Sequence, residues 1–119
     1  MTDVVEQRHG VPVLVCDPHG PTVRTDQDAL DLIGAAFQGA EVVAVPADRL
    51  DDDFFTLSTG VAGEIMQKFV NYRLRLVVVG DISLHLQDSR ALRELVEESN
   101  RGRQVWFVAD LAELDARLS

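Results

Sequence analysis

Features that would place this sequence in a special class of protein are scarce or missing. Its only cysteine is Cys16, so an internal disulfide bond and a multi-cysteine zinc or iron–sulfur site are both excluded. Its 4 prolines and 8 glycines, among 119 residues, are too few for a disordered tract. No apolar run approaches the roughly 20 residues of a membrane helix, and the first residues are acidic, unlike a secretory signal. We therefore expect a cytoplasmic protein without a membrane span.

Positive charge is also scarce. The chain has 11 Lys and Arg against 20 Asp and Glu, a net charge of −9. Proteins that bind nucleic acids or anionic membranes neutralise phosphates with Lys and Arg, so neither is expected as a partner. Residues 1–60 carry 3 basic and 11 acidic side chains, whereas residues 61–119 carry 8 and 9. The aspartates at 51–53 fit a solvated loop, a docking edge for a basic partner or, least well, a metal site.

The hydrophobic pattern predicts strands that alternate with helices. A short, partly β-branched segment at 4–8 and an apolar run at 11–16 flank the turn His9-Gly10 and indicate a β-hairpin. Apolar residues at helical spacing begin after Thr25, which forms a capping box with Asp28. Further strands are predicted at 41–45, 74–79 and 104–108, and further helices at 61–71, 90–100 and 111–118. The stretch 47–57 is predicted to be an acidic connection.

This order of elements, ββαβαβαβα, predicts one α/β domain that spans residues 1–119. Single helices between strands require right-handed crossovers and hence a mostly parallel sheet. The opening hairpin adds an antiparallel edge strand. No linker or internal repeat divides the chain.

No complete catalytic motif is visible in the sequence. Patterns for dinucleotide binding, the P-loop, the zinc protease helix and the nucleophile elbow are all missing. His9, His19 and His85 are scattered without metal-ligand spacing, and Cys16 ends an apolar strand as a buried, inert thiol would. We therefore expect no metal and no cofactor, and a non-enzymatic protein is favoured.

The start of the second long predicted helix carries the most distinctive residues. Ser58, Thr59 and Gly60 precede an apolar-periodic stretch, and Gly63 follows one turn later. Free amides in the first turn of a helix attract anions. One interpretation is a helix cap with a tight helix–sheet contact at Gly63. The other is an exposed hydroxyl that can be phosphorylated, or an anion pocket.

Polar residues on the same helix form the second candidate surface. Glu64 and Lys68 stand one turn apart, flanked by Gln67 and Asn71. This spacing is typical of a solvated ion pair, and it also fits a ligand or partner surface or, least well, a Glu base assisted by Lys.

Two alternatives to a protein-binding surface remain open. In one, Glu64, Lys68 and Asn100 surround an apolar pocket lined by Phe55 and Tyr72, and the protein binds or converts a small metabolite. In the other, the chain is a homodimer with Phe54 and Phe55 as exposed anchors.

Three stretches carry a family resemblance that extends to the whole chain. Residues 54–73, with Thr59-Gly60-x-Ala62-Gly63-Glu64 at their centre, residues 74–81 and the run Glu98-Ser99-Asn100-Arg101-Gly102 resemble the bacterial domain of unknown function 4180. The element order and the Ser/Thr-Gly pair before a helix more distantly resemble the STAS domain, the fold of anti-anti-sigma factors. That resemblance implies phosphorylation of Thr59 by a partner kinase, with Ser58 beside it. Leu57 stands where the STAS pattern has an acidic residue.

These observations predict a cytoplasmic binding or regulatory module that acts through the start of the second helix. Its partner is expected to be a protein, such as a kinase-type regulator, or a small molecule. The residues expected on its working surface are Ser58, Thr59, Gly60, Glu64, Gln67, Lys68, Asn71, Tyr72 and Asn100.

Overall fold

The computed structural model describes residues 3–119 and begins with the predicted hairpin. Strands β1 (Val4–Arg8) and β2 (Val11–Val15) pair antiparallel, with Glu6 opposite Val13. The two turn residues His9 and Gly10 both have positive φ angles, 52° and 78°. Two left-handed residues in a row give the turn twist that suits a tight hairpin. The hairpin prediction is confirmed.

The described part of the chain forms one sheet of five strands in the order β1-β2-β3-β4-β5. Strands β3 (Val42–Pro46), β4 (Arg75–Val79) and β5 (Val105–Val108) follow β2 in parallel. The fold is therefore the expected α/β domain with a mostly parallel sheet, and its strand order matches a STAS-like arrangement. Strand limits differ from the prediction by about one residue.

The long helices lie where their caps and apolar spacing predict them. Helix α1 (Asp26–Ala36) has the capping box of Thr25 and Asp28. Helix α3 spans Val61–Asn71, α5 spans Arg90–Arg101 and α6 spans Leu111–Leu118. No helix within residues 3–119 has the length and apolar content needed to cross a membrane.

Residues 3–119 contain two short helices that the sequence pattern does not predict. The connection after β3 contains α2 (Asp52–Phe55) between 3₁₀ turns at Ala47–Arg49 and Leu57–Thr59, and α4 (Ser83–Gln87) precedes α5. Helices of four or five residues are too short to show a periodic apolar stripe.

The helices cover the two faces of the sheet unequally. Helices α1, α3 and α5 pack on one face with α2, and α6 packs on the other against Val77, Trp106 and their neighbours. Phe54 and Phe55 are buried on the face covered by α1, α3 and α5. The prediction that they are exposed dimer anchors is therefore wrong. Helix α2 turns both rings inward, and Phe55 is covered by His85 at a centroid distance of 4.1 Å.

Candidate functional site

The corner before α3, residues 58–60, is exposed to solvent, but the Thr59 side chain there already makes hydrogen bonds within the protein. Gly60 has a left-handed backbone (φ 80°), which explains the glycine at this position. The Thr59 hydroxyl accepts from the Val61 N–H at 3.2 Å and lies 2.7 Å from the Asp53 carbonyl and 2.8 Å from that of Thr56. Thr59 therefore ties α2, the 3₁₀ turn and α3 together, and its modification would break these bonds.

Ser58 offers the freer hydroxyl of the pair. Its side chain is exposed and makes no hydrogen bond within residues 3–119. It lines a shallow pocket with Phe55 and His85. Of the two exposed hydroxyls, that of Thr59 is hydrogen-bonded within the described part of the chain and that of Ser58 is not.

An open groove runs between α3 and α5 and reaches the start of β5. Its volume is about 850 Å³. Its apolar side chains are buried or half-buried and form the floor, whereas Gln67 and Glu98 are exposed and give it a polar rim. We call this surface the α3–α5 groove; it is lined by Leu57, Gly60, Ala62, Gly63, Met66, Gln67, Val70, Leu95, Glu98, Ser99, Gly102, Arg103, Gln104 and Val105.

Gly63 is the third residue of α3 and opens onto this groove. A Cβ atom at Gly63 would meet nothing within 4 Å, and the residue is exposed. The prediction of a tight helix–sheet contact at Gly63 is therefore wrong, because helix α3 turns this residue away from the sheet. A glycine inside a helix costs roughly 0.5–1 kcal/mol relative to alanine. The fold itself gives no packing reason for it.

The polar residues predicted to share one face of α3 lie partly inside and partly outside the groove. Gln67 lines the groove and donates to the Asn71 side chain at 2.8 Å. Glu64 and Lys68 lie outside the groove, and they form no salt bridge with each other although both side chains are within reach of solvent.

The remaining predicted residues do not share a cavity with Glu64 and Lys68. Tyr72 is 45% exposed. Its ring packs edge-on against the ring of Phe37, the residue that follows α1, at a centroid distance of 5.6 Å. Asn100 instead holds the edge strand β5: its Oδ1 accepts from the Phe107 N–H at 2.8 Å and its Nδ2 donates to the Phe107 carbonyl at 3.2 Å. The structure brings together Gly60, Gly63 and Gln67, and separates them from Glu64, Lys68, Tyr72 and Asn100.

This chain matches one known protein family over most of its length. The family described as domain of unknown function (DUF4180) matches residues 8–118. The chain belongs to this family. Searches of curated proteins and of solved structures found no significant match. Of the three stretches that carry the DUF4180 resemblance, 54–73 and 98–102 contribute residues to the α3–α5 groove, whereas 74–81 does not.

The role of Asn100 in this DUF4180 domain can be measured. Asn100→Ala leaves two main-chain groups of Phe107 without partners, so we expect the free energy of unfolding to fall by about 2 kcal/mol. Urea denaturation measures the change. Asn71→Ala removes an exposed asparagine of α3 and is the control, expected to stay within about 0.5 kcal/mol of wild type. Equal, small effects from both variants would contradict a structural role for Asn100.

Cys16 is not equipped to act as a nucleophile. Burial, followed by the nearby charge of Asp3, raises the pKa of its thiol to about 12. The thiolate is the reactive form of cysteine, and it is almost absent at neutral pH with such a pKa. The prediction that Cys16 is buried is confirmed.

The sequence pattern does not predict most of the residues that line the groove. It predicts Met66, Leu95 and Val105 as core residues, whereas Met66 and Leu95 are only half-buried and lie at the groove floor. A signal was available in Gly63, a glycine in a helix, and in the polar end of α5 at Glu98-Ser99. Only the packing of α3 beside α5 shows that these two segments face the same opening.

Proposed function

We propose that this DUF4180 domain is a non-enzymatic binding module whose α3–α5 groove receives an apolar segment of a protein partner. The observation that carries the proposal is an open, apolar-floored groove at which α3 has a glycine without any internal packing role. A helical glycine permits close approach of another chain, and its cost to the fold is then offset by binding.

The chemistry of the groove favours binding over catalysis. Its ionisable side chains are Glu98 and Arg103, and its hydroxyl is Ser99. No base stands beside a nucleophile among these lining residues, as acyl or phosphoryl transfer would require. An apolar floor with a polar rim is instead the usual anatomy of a protein interface.

The shape of the groove favours a peptide or helix as its occupant. Two helices form its walls, and an amphipathic segment laid between helices is a recurrent mode of recognition. Met66 on the floor has a flexible, polarisable side chain that adapts to different apolar partners. A volume of about 850 Å³ also suits a small apolar ligand, which is the second candidate.

A phosphate on Ser58 would act beside this surface. Phosphorylation adds about −1.5 to −2 charges at neutral pH, close to the aspartates at 51–53. Leu57, the preceding residue, lines the groove. We therefore propose Ser58, rather than Thr59, as the regulatory hydroxyl, on which a partner kinase would act to weaken docking.

Filling the groove from Gly63 tests the proposal. Gly63→Gln places a long side chain over the floor and replaces glycine with a better helix former, so binding should be lost while stability rises by about 0.5 kcal/mol. The measurement is quantitative mass spectrometry of proteins captured from lysate, combined with thermal denaturation of each variant. The proteins retained by wild type should be absent from the Gly63→Gln sample.

Gly34→Gln is the matched control. Gly34 is an exposed glycine of α1 outside the groove, and a Cβ there also meets nothing within 4 Å. This variant should gain similar stability and keep the captured proteins. Identical captured sets for wild type and Gly63→Gln, or no capture by wild type, would reject the proposal; a response to small apolar ligands alone would favour the second candidate.

A further inference from the structure

A second cavity lies at the edge of the sheet where β3, β4 and β5 begin. Its volume is about 400 Å³, and Arg73, Arg75 and Arg103 line it together with Glu41. Parallel strands start at the same edge of a sheet, so residues that precede β4 and β5 come together although 30 positions separate them in the chain. We call this cavity the arginine pocket; its other lining residues are Val11, Val42, Val70, Leu74 and Gln104.

Glu41 offsets only part of the positive charge in this pocket. Within residues 3–119, Arg73, Arg75 and Arg103 form no salt bridge, although acidic residues outnumber basic ones almost two to one. Burial, and then the nearby charge of Arg103, lower the pKa of Arg75, while Glu41 raises it in part. Guanidinium groups that line one cavity without a carboxylate partner in a salt bridge favour the approach of an anion.

Arg75 is held in place rather than left mobile. Its Nε donates to the Arg103 carbonyl, and its guanidinium carbon lies 4.4 Å from the ring centre of Trp106. Arg117 stacks on the same indole at 4.4 Å. A guanidinium fixed over an aromatic ring loses less conformational freedom when it binds a ligand.

Arg73 occupies a backbone position that glycine would fill more easily. Its φ angle is +59°, in the left-handed region. The Leu74 N–H donates to the Phe69 carbonyl and the Arg73 N–H to the Val70 carbonyl, both at 3.0 Å, which is the helix-ending motif that normally has glycine at this position. Arg73 is therefore in a strained backbone position, and it lines the pocket.

We propose that the arginine pocket binds the phosphate group of a small phosphate monoester. Three guanidinium groups from a helix end, a strand and a loop suit a dianion with several oxygen acceptors, because each planar fork can bind two of them. A cavity of about 400 Å³ is within the range of small-ligand sites. This site adjoins the α3–α5 groove at Val70, Arg103 and Gln104 but does not depend on a partner in that groove.

Titration with phosphoserine, followed by the fluorescence of Trp106, tests the proposal. Trp106 is the only tryptophan of the chain and contacts Arg75 directly, so occupation of the pocket should change its emission. At low ionic strength we expect a saturable response to phosphoserine and to inorganic phosphate, and none to serine. Arg103→Gln should weaken the affinity about tenfold, and Glu41→Gln should tighten it.

Two further variants separate binding from folding and from general charge. Arg73→Gly should raise the melting temperature, because it relieves the left-handed arginine, and still weaken phosphoserine binding about tenfold. Arg90→Gln removes the same charge at the far end of α5 and should leave the affinity unchanged. A lack of saturation in wild type, an equal response to serine, or an equal loss from Arg90→Gln and Arg103→Gln would each overturn the proposal.

Discussion

Replacement of Arg49 by methionine is expected to lower the free energy of unfolding by about 3 kcal/mol. The Arg49 side chain is buried, with only 4% of the residue exposed. Its Nη1 donates to Asp3 at 3.0 Å and to the Asp17 carbonyl at 3.3 Å, and its Nε donates to the Pro21 carbonyl at 2.9 Å. Methionine fills part of the volume but leaves these acceptors without their donor.

The packing around Arg49 leaves little room for rearrangement. A Cβ at Gly20 would lie 2.6 Å from the Arg49 guanidinium carbon, which shows how closely the loop wraps the side chain. The Asp3 side chain is partly exposed, so water can solvate its carboxylate after Arg49 is replaced. The expected loss of stability is therefore at the low end of the range for breaking a buried ion pair.

Urea denaturation of Arg49→Met beside Arg90→Met is the measurement. Arg90 is 84% exposed at the side chain, and its replacement should change stability by less than about 0.5 kcal/mol. A loss below about 1 kcal/mol for Arg49→Met would contradict the role assigned to this residue.

The second large effect is a loss of stability at alkaline pH that arises from Cys16. Its pKa is about 12 in the folded protein against 9.0 for an ordinary thiol. The unfolded chain therefore releases this proton first as the pH rises. The stability conferred by the neutral buried thiol is fully present below pH 9 and is lost progressively up to about pH 12. The total is about 4 kcal/mol, at about 1.4 kcal/mol for each pH unit.

The dependence of stability on pH, rather than stability at one pH, isolates this effect. Urea denaturation of wild type and Cys16→Ala at a series of pH values should show the steep alkaline decline in wild type and a flatter profile in the variant. Cys16→Ala also leaves a small cavity, but that cost is the same at every pH. Parallel profiles for the two proteins would show that Cys16 is not the cause.

Much of the fold followed from local signals in the sequence. Thr25 and Asp28 marked the start of α1, and Gly60 marked the start of α3, because capping and left-handed positions select particular residue types. The inward turn of Phe54 and Phe55 was not predictable from their short acidic segment. It depends on α2, whose four residues are too few to show periodicity and which packs against α3, a helix that begins several residues later in the chain.

The site was less predictable than the fold because it depends on neighbours in space. The sequence indicated the start of α3 and Gln67, but it assigned Asn100 to a ligand surface, whereas Asn100 holds the Phe107 main chain. The arginine pocket had a visible signal, since Arg73 and Arg103 precede adjacent parallel strands. Recognising it required the strand order, which places those two segments at the same edge.

The most direct test of the proposed groove is a map of amide chemical-shift changes in the labelled protein when a captured partner segment is added. We expect the largest changes to cluster at Gly60, Gly63, Gln67 and Ser99, which line the α3–α5 groove. Changes confined to the side of α3 that carries Glu64 and Lys68, with the groove amides unmoved, would contradict the proposal.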